Sequence, residues 1–443
     1  MGSAVSMPAM RSLSFRSPAF AAVLGGSALA LALSLAACGS SKARSFDQPA
    51  PGDPGPTAQP TGPSGDLGSS GATPGTPTGI GFLVGTVLAP EGTVPISNAL
   101  VYLAPAAPAP LADGVFCDKC VELPAGTPYT YSKADGTFKL PVYTAGAQVL
   151  VVQKGHFRRV RPIVAAAGSN PVAGNLTTLP GAPDVANGDE IPKIGVAYGG
   201  FDKIELSLKK LGVTSFDRYG KDPFNDPKGL PPSIGQQMDL INSPQTLAQY
   251  HIVLLPCALA GLSCGAPTSA QKDNLRNYVS AGGKLYVTDY SYEFVNQTWP
   301  GFITWKDKDG NDTNANSAWG SACTGEAHDA AGTANDPGLA SWLGAIGDTS
   351  FTLQGSWTSI SKVSPMPGTD ADGKPVTVTP KVWMTNGVAG PATVSFDQQC
   401  GRVLYSTYHA EGDVDSALLA QEKALLFILL EVGVCIGEQP PPR

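Results

Sequence analysis

"LRNYVSAGGKLYVTDYSYEF" (Leu275–Phe294) decides how the larger part of this chain folds. Its first half completes a helical pattern that starts at Ser269, with Leu275, Tyr278 and Val279 on one face and Gly282-Gly283 as the stop. "KLYVT" (284–288) follows at once as a short apolar strand that runs into a turn. Strand, helix, glycine stop and strand make up a βαβ unit, and "YHIVLLP" (250–256) supplies the strand in front. Working outward, "IPKIGVAYG" reads as a buried strand, "DKIELSLKKLG" as a helix ended by Gly212, and "VTSFDRY" as a further strand. "PATVSFDQQCGRVLYSTYH" predicts a late strand pair before a last helix near 417–433. The alternation predicts an α/β domain with a parallel sheet over 190–437, broken by an insertion at about 297–380.

Two parts of this region, "YHIVLLPC…LRNYVSAGGKLYVTDYSYEF" and "GRVLYSTYHAE", resemble the class I glutamine amidotransferase-like fold, especially its trehalose-utilisation-type branch. The resemblance implies a flavodoxin-like, three-layer α/β/α domain. In catalytic members the strand after the paired glycines ends in a strained elbow carrying a Cys, and a later His and acid complete the triad. Counting from Gly282-Gly283, Asp289 takes the elbow position, followed by Tyr290, while His409 and Glu411 match the base and its orienting acid. A carboxylate is a far weaker acyl-transfer nucleophile than a thiolate, so the inherited amidase chemistry is not expected. Asp289, Tyr290, Glu293, His409 and Glu411 are therefore read as a pocket remnant with no catalytic residue. The alternative is a hydrolase in which Asp289 attacks alkyl carbon and His409 activates water, with Trp299 or Trp305 lining the pocket.

Residues 80–180 follow another pattern. "GFLVGTVLAP", "NALVYLAP", "TPYTYSKADGTFKL" and "AQVLVVQKGHFRRVRPIV" are short strands punctuated by Asp-Gly and Pro, as in an antiparallel β-sandwich. Gly85-Thr-Val87, Asp135-Gly136-Thr-Phe138 and Gly155-His-Phe157 resemble the carboxypeptidase regulatory-like (transthyretin-like) domain, a module that implies no reaction of its own.

Residues 1–38 read as an export signal: Arg11 and Arg16, an uncharged apolar core, and Leu35-Ala36-Ala37-Cys38, which resembles a bacterial lipobox. Cys38 is the expected lipidation site, and with Gly39 in place of an Asp the resemblance to bacterial sorting signals implies the outer membrane. An uncleaved anchor is the alternative, since the apolar run is nearly long enough to span. Residues 39–79 hold Phe46 and Leu67 as their only large apolar side chains, so they predict a disordered tether roughly 35 Å long. With a net charge of −7 and no basic run, a nucleic-acid partner is not expected. The expected partners are the membrane, through the lipid, and a glycan or envelope protein.

An exported chain can form disulfides. Cys117-Asp-Lys-Cys120 lacks the other ligands of a zinc finger and the βαβ frame of a redox dithiol, which leaves a local disulfide. Cys257 and Cys264 are near enough in sequence to clip one loop, with Cys323 as the free thiol. An antiparallel last helix, as long as its strand at about 25 Å, would bring Cys435 back beside Cys400. No cofactor or metal is expected. His156, His251 and His328 form no metal-spaced set, and Asp307, Asp309 and Asp312 miss the calcium-loop spacing, so a solvated turn is the favoured reading there. Gly199-Gly200 reads as a tight turn between strand and helix in preference to an anion cradle. The combined expectation is a lipid-anchored envelope protein with a binding or structural role and no catalysis, and the amidotransferase-like resemblance implies carbohydrate or peptidoglycan-like ligands.

Overall fold

The computed structural model describes residues 79–432 apart from 119, 121–122, 223, 225, 259, 326, 388–389 and 411–416. Cys38 with its signal, the tether, Glu411 and Cys435 therefore lie outside the described residues. The architecture is mixed α/β with several sheets, two of them forming an all-β part near the start of the described chain.

That all-β part holds β1 (Gly81–Thr86), β2 (Leu100–Ala104), β3 (Tyr129–Tyr131), β4 (Thr137–Val142), β5 (Gly146–Lys154), β6 (Phe157–Ala165), β7 (Gly168–Pro171) and β8 (Asp189–Glu190). One sheet runs β4-β1-β7 and the other β3-β2-β5-β6-β8. All neighbours are antiparallel except β1 and β7. Leu83 and Leu140 from the first sheet and Val101, Leu150 and Val152 from the second fill one core. Asp135-Gly136 makes the β3–β4 turn, with Gly136 at φ +75°, the left-handed backbone that glycine adopts without strain.

The second part begins with β9 (Ile194–Ala197), α1 (Ile204–Lys210), β10 (Asp217–Tyr219), β11 (Ser233–Gly235), α2 (Asp239–Asn242), α3 (Pro244–Leu247), β12 (Ile252–Leu255), α4 (Ser269–Ser280), β13 (Lys284–Thr288) and α5 (Glu293–Asn296). The inserted segment adds β14 (Ile303–Lys306), β15 (Asp312–Thr313), β16 (His328–Ala334), α6 (Pro337–Ala345), β17 (Thr352–Ser356), β18 (Ile360–Val363), β19 (Met366–Thr369) and β20 (Pro375–Val378). β21 (Lys381–Asn386), β22 (Pro391–Gln398), β23 (Gly401–Ser406) and α7 (Ala420–Val432) complete it. Ten strands make one sheet in the order β11-β10-β9-β12-β13-β23-β22-β21-β16-β17, parallel from β11 to β23 and antiparallel beyond.

Alternation along the strands explains the layers. Ile252, Leu254, Tyr286 and Leu404 face α1, α6 and α7, whereas Val253, Leu255, Leu285, Val287, Val403 and Tyr405 face α2 and α4. With both faces covered, every residue of β12, β13 and β23 is buried, as central parallel strands require. The helix expected to start at Ser269 is capped one residue earlier. Thr268 accepts from the Gln271 backbone N–H, and Gln271 returns a bond to the Thr268 N–H.

The sandwich core runs without a break into the α1/α6/α7 face of the sheet. Trp342 of α6 donates its indole N–H to the Pro95 carbonyl at 2.7 Å. Cys117, in the loop between β2 and β3, is bonded to Cys400 at the β22–β23 turn. The expected Cys117–Cys120 and Cys400–Cys435 pairs are thus replaced. The helix does return to the start of its strand, since Arg402 Nη1 lies 3.3 Å from the Glu431 carbonyl. The sandwich loop nevertheless reaches Cys400, and Cys120 is bonded in a separate disulfide.

Candidate functional site

Three parallel neighbours, β12, β13 and β23, end side by side, and in open α/β sheets the crevice beyond the carboxyl ends is where ligands bind. Cys257 follows β12, Asp289 follows β13, and His409 lies just past β23. One ligand-type atom from each falls within 4.8 Å of the others. This sulfur contradicts the expected arrangement: Cys257 is free and buried, and Cys264 is bonded to Cys323 instead. Cys264 sits in a loop at φ +52° with its Cα 6.2 Å from that of Cys323, while Cys257 is held at the strand end among the core side chains. Closeness in sequence did not become closeness of sulfurs.

Asp289 occupies the elbow. Its φ is +45°, a strained conformation that Asp tolerates better than most residues, and a single 3-10 turn, Asp289–Ser291, follows directly. Its carboxylate is fully enclosed. Thr358 Oγ1 donates to Oδ1 at 2.8 Å, the Trp357 N–H lies 3.2 Å from both oxygens, and His409 Nε2 lies 3.2 Å from Oδ2. That last contact is an ion pair lacking the alignment of a linear hydrogen bond. The Tyr405 hydroxyl donates to the Asp289 carbonyl at 3.0 Å and is paired with Thr358 Oγ1 at 2.8 Å. Trp357 and Thr358 belong to the insertion, between β17 and β18. Gly355 of β17 passes so near the imidazole that a Cβ there would sit 3.3 Å from His409 Nδ1. The insertion thus closes over the strand ends.

Asp202 was not singled out from sequence, yet it knits the site together. Fully buried, it accepts from Thr288 Oγ1 at 2.8 Å and from the Ala410 N–H at 3.1 Å. The Thr288 hydroxyl in turn accepts from the Cys257 N–H at 2.7 Å. Gly199 makes the tight turn just before it, where a Cβ would sit 2.0 Å from the Asp202 carbonyl. An acid straight after the glycine turn of the first strand was the available signal.

Electrostatics follow from this enclosure. Burial pushes the Asp289 carboxyl up to about 6, against the pull of His409, Thr358 and Trp357. Burial alone would depress His409, but contact with Asp289 and Cys257 and the charge of Asp202 outweigh it and raise the imidazole to about 11. The Cys257 thiol and the Asp202 carboxyl are both raised, first by burial, with His409 opposing. At neutral pH His409 and Asp289 form a charge pair beside a neutral thiol.

The other expected site residues lie apart. Glu293 is buried at the start of α5, where its carboxylate receives the Tyr292 hydroxyl, the Gly320 N–H and the Asn296 and Gln297 amides. It ties the insertion to α5. The Tyr290 hydroxyl accepts from the Gly325 N–H at 2.9 Å, and its ring meets Trp357 edge-on at 6.0 Å. Trp299 and Trp305 are both core, Trp299 against Phe396 and Trp305 against Tyr292 and Tyr405. Asp307 is occupied by its own turn, accepting from the Asp309 and Asn311 N–H groups, and Asp312 pairs with Lys362.

No family profile matches the chain, and no curated protein matches it. Solved structures give distant likenesses. A cytoplasmic protein from Salmonella typhimurium is 10% identical, with a TM-score of 0.32, over 55% of this chain and 99% of that one. The mmIFT52 N-terminal domain is 10% identical, with a TM-score of 0.33, over 56% and 99%. A ThuA-like protein from Bacteroides uniformis is 12% identical, with a TM-score of 0.29, over 54% and 89%. Likenesses this weak carry no argument about fold or activity.

Proposed function

We propose that the chain is an outer-membrane-anchored lipoprotein with a non-catalytic binding or structural role at the cell envelope, its ligands carbohydrate-like. In this reading a transthyretin-like sandwich precedes a flavodoxin-like, three-layer domain of the amidotransferase type. The parallel run β10-β9-β12-β13-β23 with helices on both faces supports the second assignment, and two facing sheets of short strands support the first. Leu35-Ala36-Ala37-Cys38 and the polar, Pro-rich stretch after it support the anchor and the tether.

The observation that carries the non-catalytic reading is the sealed elbow. A nucleophile must be presented to a substrate, but Asp289 has no exposed surface and both its oxygens are engaged. This weighs against the alternative of a hydrolase using Asp289. A second reading rests on a specific observation: the reduced Cys257 beside His409 restores the sulfur whose absence was the sequence argument against catalysis. Cys257 is only 1% exposed, however, and His409 is already paired with Asp289.

The test takes the full chain in detergent, with Asp289→Asn and Cys257→Ala variants, through a panel of amides, esters, alkyl halides and epoxides, and through co-sedimentation with purified peptidoglycan. The expected result is co-sedimentation with no turnover above the variants' background. Turnover lost in Asp289→Asn would establish the carboxylate hydrolase, turnover lost only in Cys257→Ala the thiol enzyme, and either would end the proposal.

A further inference from the structure

We propose that Cys257, Asp289 and His409 form a binding site for a transition-metal ion, with zinc the best match. The inference is independent of any envelope role, because it rests on the donor set alone. Thiolate, carboxylate and imidazole are the ligand types zinc takes, and three protein donors with a fourth position left to water is the count of an open zinc site. A soft sulfur in the set disfavours calcium and magnesium, which take oxygen ligands.

The geometry fits. Donor atoms of the three residues fall within 4.8 Å of one another, and His409 Nε2 stands 3.2 Å from Asp289 Oδ2. Bonds of roughly 2.0–2.3 Å at tetrahedral angles put neighbouring donors about 3.3–3.6 Å apart. Small movements of the thiol toward the pair would complete the triangle.

Three further observations point the same way. His409 Nε2 is buried and meets Asp289 Oδ2 at 3.2 Å without the alignment of a hydrogen bond, an incomplete pairing that a metal between the two atoms would complete. Asp289 Oδ1 is anchored by Thr358 at 2.8 Å while Oδ2 faces the imidazole, the outer hydrogen bonding that orients a ligating carboxylate. Cys257 is the one cysteine among the described residues that is not in a disulfide. The His409 side chain keeps 13% of its surface exposed, which leaves an edge for the fourth ligand. On binding, the Cys257 thiol and the His409 imidazolium each lose a proton to solvent, and the sulfur and Nε2 take up the metal bonds in their place.

The experiment uses the untagged full chain, produced in cobalt-supplemented medium and purified without chelator. One cobalt per chain is expected, with a thiolate-to-cobalt charge-transfer band in the near ultraviolet. Cys257→Ser and His409→Gln should abolish the band and weaken metal binding at least a hundredfold, an effect no smaller than about the 10–100-fold cost of losing an outer-shell partner. Parent protein without the band overturns the proposal and needs no variant to fold. A band retained in Cys257→Ser overturns it equally.

Discussion

β12 is four residues long, and beyond its two ends lie a buried histidine, His251, and a part-buried one, His409, in opposite electrical states. Past its carboxyl end His409 touches the Asp289 carboxylate at 3.2 Å and is raised to about 11. At its amino end His251 is lowered to about 4, chiefly by burial and then by His156, whose ring centroid is 4.6 Å away. Both nitrogens of His251 are used, but by neutral groups: Nδ1 accepts from the Lys193 N–H at 2.8 Å, and Nε2 faces the Ala112 carbonyl at 3.0 Å. Asp118 stands against His156, at 2.8 Å, and reaches His251 only through space. Burial acts the same way on both imidazoles; a carboxylate in contact reverses the outcome at one of them. One end of the strand is therefore held by charge, and the other by neutral hydrogen bonds and ring stacking where the sandwich meets the sheet.

The sharpest way to break this comparison is Asp289→Asn, which keeps the volume and removes the counter-charge. Taking one partner from a buried pair costs about 3–5 kcal/mol, so urea unfolding should show a loss of that order. A loss below about 1 kcal/mol would mean that the pair holds nothing. Next in size is the seam. Phe116, stacked on His156, precedes Cys117, and its carbonyl lies against the α4–β13 turn, where a Cβ on Gly282 would come within 1.8 Å. Cys117→Ser removes the bridge to Cys400, whose sequence separation is 283, and should cost about 2–4 kcal/mol by the same measurement. Because reductant also breaks Cys264–Cys323, the substitution is the cleaner probe. An unchanged urea midpoint would show that packing alone fastens the seam.

The two ends of β12 also differ in how far they could be read from sequence. β12 is a continuous apolar run, and β13 and β23 carry apolar centres at Leu285–Val287 and Val403–Tyr405, as buried parallel strands do; counting from Gly282-Gly283 put Asp289 at the elbow. Asp289 and His409 could be brought together because each ends a strand of one sheet. Cys257 could not: its nearness to Cys264 in sequence suggested a clip, whereas its partners are set by the neighbouring strand ends. Trp357 and Thr358 escaped notice because they come from a segment whose strands β16 and β17 join the sheet through long-range pairing. No local pattern announces such pairing. The seam was illegible for the same reason. His156 and His251 look isolated in the chain and meet only once the β5–β6 hairpin docks on the sheet.

The smallest expected effect tests the neutral end of the comparison. His251 has a folded pKa of about 4, below the 6.5 of an unstrained imidazole. Between those values the unfolded chain binds the proton and the folded chain does not, so stability rises with pH there. The contribution is complete above about pH 6.5 and is lost as pH falls toward 4. Burial sets the sign, His156 acts in the same direction, and the Ala112 carbonyl, Asp118 and Asp113 act against it. His251→Asn keeps an acceptor for the Lys193 N–H and cannot titrate. Relative to it, the parent should lose about 1–3 kcal/mol between pH 6.5 and 4, read as a difference between two urea-unfolding series. Equal slopes would mean that His251 is protonated in the folded protein, and the contrast with His409 would disappear. A steeper slope in the variant would put a carboxylate in direct contact with the His251 ring, as Asp289 is with His409 at the other end of the strand.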